Sequence, residues 1–309
     1  MAGAGAGALD SRHPEGWRWE GKGMRRTNAR TPKVLRWLPV AAALALAGCA
    51  STSDVTSALN PDPPSKMYAD ADALLAKGKF DDAAKKFEDL DRDHPYAPEA
   101  RRAMVMAAYA YYKGGKLPEA VASARRYTTM HPGTKEAALA HHIIAQSHFE
   151  EMRGPNRDQS ETRKALAELK TLKSRYPDSP YAKEADNKIK ITEDNLAASE
   201  MEVGRYYLKR KQYVAAINRF KAVVAEYQTT AHVEEALMRL VEAYMALGIT
   251  NEAQTAAAVL GHNFPESKWY KDAYALLQGG GLAPHDHGDT WLSKTWKSLP
   301  KLSLGGPAG

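Results

Sequence analysis

The sequence predicts an all-α solenoid of about five helical hairpins over residues 65–278, and three observations predict it. First, an alanine recurs at 83, 120, 165, 216 and 253, with Phe87, Ala124, Leu169, Phe220 or Ala257 four positions later and Leu90, Tyr127, Leu172, Val223 or Leu260 three later again. Offsets of three and four keep one face of a helix apolar. Second, glycine and proline punctuate these copies at corresponding places. Third, no run alternates apolar and polar residues as a half-buried strand would. A hairpin that cannot bury its own apolar face stacks on its neighbours and forms a continuous core. With 44% hydrophobic and 26% charged residues in 309, wholesale disorder and a polytopic membrane protein are both excluded.

Taken in chain order, residues 1–23 precede a better start at Met24 and read as an overextended gene start. Residues 24–48 carry five Lys or Arg, then an apolar run from Leu38 to Ala47, which is the layout of an export signal and too short to span a bilayer. Its end, Leu46-Ala47-Gly48-Cys49, resembles the lipobox of bacterial lipoproteins. That resemblance implies S-diacylglycerol and N-acyl groups on Cys49, the only cysteine in the chain. An ordinary cleaved signal with an incidental cysteine is the alternative. Residues 49–64, rich in Ser, Thr and Pro, read as a tether. Ala50 is not the aspartate that holds many lipoproteins in the inner membrane, so the outer membrane is expected.

Within each hairpin, Gly78, Gly115 and Gly248 stand five residues before the alanine, where a helix end requires a left-handed residue. Ala71, Ala108 and Gly204 lie seven residues before that turn and allow close helix contact; Leu74, Tyr111, Tyr207 and Tyr244 fill the groove between neighbours. Eleven residues after the alanine stand His94, His131, Tyr176, Tyr227 or Phe264, followed by proline in every copy except at Gln228. Proline there stops the second helix. Residues 150–160, containing Gly154 and Pro155, form a loop inside the third hairpin. The fourth opens with a long helix from about Pro180 to Lys209, roughly 45 Å at 1.5 Å per residue. Ser179 and Ser267 are placed to cap the helices that follow them, with Pro180 in the first turn. The pattern resembles the tetratricopeptide repeat, at spacings of 37, 45, 51 and 37. Residues 279–309, opening on three glycines, read as a disordered tail, with Trp291 to Leu299 a candidate amphipathic piece.

Chemistry-bearing motifs are sparse. There is no glycine-rich phosphate loop, nucleophile elbow or His-Glu-x-x-His, so no enzyme is expected. His141 and His148 share a helix face, but a separation of seven residues spans about 10 Å, too far for one zinc. His285-Asp286-His287 suits only adventitious metal, and no metal or other cofactor is expected. A stacked array offers instead a concave groove for an extended segment or a partner domain. Tyr109, Tyr111, Tyr112, Tyr206 and Tyr207 are candidates to line it, shared with the core. The net charge of +6 suggests nucleic acid until it is located. Residues 1–48 hold eight Lys or Arg and three acids, leaving 35 and 34 in the remainder. The charge belongs to the export signal, and nucleic acid is excluded as a partner.

Jointly, Tyr109–Lys113, Arg175–Tyr181, Tyr206–Arg210, Ala215–Phe220 and Glu242–Gly248 resemble the BamD family of outer membrane protein assembly factors over about residues 60–275. The resemblance implies a lipid-anchored periplasmic subunit of the β-barrel assembly machinery. Such a subunit binds the POTRA region of BamA through its C-terminal repeats and unfolded outer-membrane proteins through its N-terminal ones. By position, Arg219 matches the arginine of the POTRA contact, and the turn His94-Pro95-Tyr96-Ala97-Pro98 matches the substrate side, where relatives commonly carry Tyr-Pro-Phe-Gly-Pro. Tyr96, Tyr109 and Tyr112 are the candidate substrate-side residues. The rival readings are an envelope lipoprotein adapting cell-wall or division proteins, and a lipid-anchored hydrolase.

Overall fold

The computed structural model describes residues 61–298. Cys49, the export signal and most of the tether lie outside the described residues. Twelve helices follow one another, and no strand occurs among the described residues. The hairpins are α1 (Pro64–Ala76) with α2 (Phe80–Asp93), α3 (Pro98–Lys113) with α4 (Leu117–Met130), α5 (Glu136–Glu150) with α6 (Ser160–Arg175), α7 (Pro180–Lys209) with α8 (Tyr213–Glu226), and α9 (Val233–Ala246) with α10 (Thr250–Asn263). Then come α11 (Lys268–Gly279) and α12 (Trp291–Ser298). The loop between α5 and α6 and the 30-residue α7 fall where the sequence places them.

The repeat positions are the core. All fifteen residues of the three recurring columns, from Ala83, Phe87 and Leu90 to Ala253, Ala257 and Leu260, are 0–1% exposed. Ala71 and Ala108 are fully buried beside them. Gly204 sits so close to Phe220 that an added Cβ would lie 2.4 Å from its ring, which is why α7 and α8 need a residue without a side chain at that crossing.

Inside the hairpins, four turns repeat one motif. The amides of Lys79, Lys116, Gln212 and Ile249 donate to the carbonyls of Leu74, Tyr111, Tyr207 and Tyr244 at 2.9–3.0 Å. Each spans a left-handed residue: Gly78, Gly115, Lys211 or Gly248, with φ of 73°, 73°, 58° and 74°. This closes the carbonyls left open at a helix end. The fourth copy does so with a lysine. Between hairpins, Ser179 and Ser267 cap as expected, accepting from the amides of Ala182 and Trp269.

The tail requires a correction. Residues 279–298 are not a disordered extension: Gly281 (φ 72°) turns the chain back, the amide of Leu282 closes on the carbonyl of Leu277, and α12 packs on α10. The physical reason is apolar burial that composition concealed. Leu292 is 0% exposed, Trp291 and Trp296 pack on the C-terminal core, and the Lys221 ammonium lies 3.9 Å from the centre of the Trp291 ring. Glu252 accepts from the amide of Trp291, and Thr255 from that of His287, so the strap is tied to α10 by its backbone as well.

Candidate partner-binding site

Arg219 follows from the geometry of α8. Phe220 turns into the core, so its neighbour is rotated about 100° out of it. The Arg219 side chain is 46% exposed, and its guanidinium donates to Glu200 Oε2 on α7 at 3.1 Å. Both line a surface cavity of about 340 Å³ between α7 and α8, with Tyr207, Asn218 and Glu226, and with Arg163 from α6. A guanidinium has five donors in a planar fork, and the Glu200 contact uses one. The remainder can donate side by side to the two oxygens of a second carboxylate. Of the two nearby tyrosines that are candidates to line a groove of the array, Tyr207 lines this cavity, while Tyr206 is at the helix end with Arg210 over its ring.

A second cavity of about 410 Å³ lies at the α2–α3 turn. Tyr96 is 98% exposed at its rim, and Pro95, Arg101, Met104, Arg126 and Met130 complete it. Asp91, almost buried, pairs with Arg126 at 2.6 Å and fixes that wall. The sequence analysis missed Met130, Arg101 and Arg126. A large apolar residue off the core face, beside a His-Pro turn, was the available signal for Met130, which is 55% exposed.

The three candidate substrate-side tyrosines are not brought together. Tyr109 and Tyr112 lie thirteen and sixteen residues beyond Tyr96, about 20 Å along α3. Tyr109 packs partly on the core, with the Lys113 ammonium 5.6 Å from its ring centre. Tyr112 also packs on the core, and its hydroxyl donates to Glu150 at 2.5 Å, tying α3 to α5. Burial first, then that carboxylate, pushes its hydroxyl up to about 12. Tyr111 likewise donates to Glu88 on α2. Tyr109 and Tyr112 therefore pack against the core, Tyr112 also tying α3 to α5, while Tyr96 lines the cavity at the α2–α3 turn.

The histidines also pair with carboxylates. His141 Nδ1 meets Glu168 at 3.0 Å and His148 Nδ1 meets Glu161 at 2.6 Å, two rungs between antiparallel α5 and α6. His148, Glu151 and Glu161 bring three donor atoms within 4.8 Å, but Lys164 already neutralises Glu161 at 2.7 Å. His94 and His131 stand at helix ends as packing and capping groups: His94 reaches the Asp62 carbonyl, and His131 lies against Tyr127.

Comparison with known proteins adds to this geometry. The family described as outer membrane lipoprotein (YfiO) matches residues 60–260. An outer membrane protein assembly factor BamD of Caulobacter vibrioides is 42% identical over 79% of this chain and 81% of its own. One of Rickettsia prowazekii is 37% identical over 76% of this chain and 93% of its own. A tetratricopeptide repeat protein of Parabacteroides merdae aligns at 16% identity and a TM-score of 0.31 over 71% of this chain and 75% of that one. With that family match spanning most of the hairpin array and relatives aligned over most of their lengths, the chain belongs to the outer membrane lipoprotein family together with the BamD assembly factors.

Proposed function

We propose that the chain is a lipid-anchored scaffold on the periplasmic face of the outer membrane, a non-catalytic subunit of the β-barrel assembly complex. In this reading Cys49 carries the lipid, the α7–α8 cavity binds an acidic group on the POTRA region of BamA through Arg219, and the α2–α3 cavity receives unfolded outer-membrane proteins. The observation that carries it is Arg219: a half-exposed guanidinium in a built cavity, in the fourth hairpin, with donors left over after Glu200 is satisfied.

The mechanism is reversible holding. An unfolded barrel segment exposes alternating apolar side chains and unpaired backbone groups. Tyr96 and Met130 supply apolar area, and Arg101 with the Arg126–Asp91 pair supplies polar partners at the same place. Tethering scaffold and barrel subunit to one membrane raises their effective concentration without a new contact. No bond is made or broken.

Copurification after mild detergent extraction tests the reading. BamA is expected with the wild-type chain and lost or strongly reduced with Arg219→Glu, because the proposed interface would bury this charge pair, and removing one partner of a buried hydrogen-bonded charge pair costs about 2–5 kcal/mol, at least thirtyfold in affinity. A lipidated, folded wild-type chain that brings down no BamA refutes the function. Unchanged recovery with Arg219→Glu refutes the contact alone.

A further inference from the structure

We propose that the tips of the fourth and fifth hairpins form a second membrane contact, one that docks on acidic phospholipid headgroups. It rests on the outer-membrane location of the family and is independent of the BamA contact.

Three separate observations converge there. The α7–α8 turn carries Lys209, Arg210 and Lys211 in succession, all exposed, and none has a carboxylate within ion-pairing distance among the described residues. The acids on the neighbouring surface are engaged elsewhere, Glu202 with Arg205 and Glu252 with the amide of Trp291. Some cations elsewhere in the array are matched, as Lys116 is with Asp81 and Lys173 with Asp186, and the sister α1–α2 turn has two exposed lysines, Lys77 and Lys79, where this turn has three consecutive cations.

The second observation is apolar. Tyr206 and Val214 flank the same turn at 51% and 64% exposure. Because α8, α9 and α10 run alternately up and down, the α9–α10 turn emerges on the same edge, and it exposes Leu247 and Ile249. Helices pack 8–10 Å apart, so the two tips are neighbours. Aromatic and aliphatic side chains among cations fit the boundary between headgroups and acyl chains, where each part of an amphipathic side chain finds its own solvent. The Arg210 guanidinium lies 4.6 Å from the centre of the Tyr206 ring, a pairing of that kind.

The third observation is the backbone. Sister turns place glycine in the left-handed position, and here a lysine occupies it at φ 58°. A strained residue persists where its side chain is worth the strain. The lysine adds the third charge to the tip and makes no packing contribution that would explain it, being exposed. These side chains project from helix ends instead of lining a groove, which suits an extended charged surface better than an acidic peptide. Each Lys or Arg near an acidic leaflet adds to the attraction, so three neutralised together weaken the contact about a hundredfold. A lipid at one end of the chain fixes one point on the membrane; a second contact orients the array.

The test uses the membrane-extracted full chain in nanodiscs of zwitterionic lipid, with or without phosphatidylglycerol, read by amide hydrogen exchange. Exchange across residues 206–214 and 247–249 is expected to slow only with phosphatidylglycerol, to recover at high salt, and to lose the slowing in the Lys209→Gln/Arg210→Gln/Lys211→Gly variant while α3 to α6 exchange as before. Equal exchange in the two kinds of disc overturns the proposal. So does slowing that appears only when BamA is added in zwitterionic discs, which assigns the tips to a protein surface. Failure of the BamA copurification leaves all these outcomes readable, because they are obtained with lipid alone.

Discussion

Lys211→Gly should stabilise the protein, although it removes a side chain from a turn and puts the least helix-favouring ordinary residue next to a helix end. In the left-handed region a residue with a Cβ crowds its own carbonyl, at about 1–2 kcal/mol. Glycine avoids that and gives back about 0.4–1 kcal/mol through the greater freedom of the unfolded chain. The net gain is about 0.5–1 kcal/mol, which for an array of this size raises the melting temperature by roughly 1–4 °C. The three sister turns supply the control. An alanine Cβ at Gly78, Gly115 or Gly248 would meet no atom within 4 Å, so Gly248→Ala tests φ alone, without a clash. It should lower stability by about 1 kcal/mol. Thermal unfolding followed by circular dichroism reads both. A melting temperature that falls in Lys211→Gly would mean the lysine side chain stabilises the fold, and the strain argument, with its functional corollary, would fail. A neutral Gly248→Ala would show that the left-handed turn carries no cost to begin with.

Two further substitutions probe the packing and the pH response. Gly204→Ala places a Cβ 2.4 Å from the ring of fully buried Phe220; overpacking costs about 1–3 kcal/mol and the better helix propensity of alanine returns up to about 1, so chemical denaturation should show a net loss of roughly 1–2 kcal/mol. His142 is stacked on Tyr181 at 4.6 Å and is held below its ordinary value of 6.5, by burial first and then by the Lys188 charge. Above that value both the folded and unfolded forms are neutral and stability is complete; as pH falls from it toward the depressed folded value, only the unfolded chain gains the proton and stability is lost. His142→Phe keeps the stack and removes the titration, so its denaturation midpoint should fall less than that of the wild type between pH 7 and about pH 5, and equal losses would refute the assignment.

What the sequence made legible and what it concealed divide along a physical line. The fifteen recurring apolar positions and the two serine caps are local signals that agreement among copies reinforced, and the long α7 and the loop before α6 are local signals too, legible as departures from the repeat spacing. The features that the sequence did not show have no repeat to reinforce them. Tyr96, Tyr109 and Tyr112 are alike as groove candidates, yet the separation of Tyr109 and Tyr112 from Tyr96 along α3 and the Glu150 partner of Tyr112, 38 residues away, are facts of the folded chain. Docking of α12 depended on a face of α10 that appears only once the hairpins have stacked, and on Trp291 finding Lys221, 70 residues earlier. Arg219 itself was found by position in a motif, but its partner Glu200 was visible only in the folded pair of α7 and α8.

The departures from the repeat are therefore where this chain is individual. A position that obeys the pattern is accounted for by packing, and substituting it reports on stability. A position that breaks the pattern at a local cost, without a compensating contact inside the fold, has to be accounted for by something outside it. Gln228 in place of proline is the weak case, since its side chain bonds the carbonyl of Ala225 and the helix still ends. Lys211 in place of glycine is the strong one: the turn closes with the same hydrogen bond as its sisters, so the substitution changes nothing in the architecture and leaves a strained backbone carrying an exposed charge. Arg219 lies outside the recurring columns, and its ion pair with Glu200 satisfies only part of its guanidinium among the described residues. Lys211 and Arg219 both fall in the fourth hairpin, one in the turn before α8 and the other on α8 itself, so the two proposed contacts, one with a protein and one with the membrane, would be served by neighbouring parts of one hairpin.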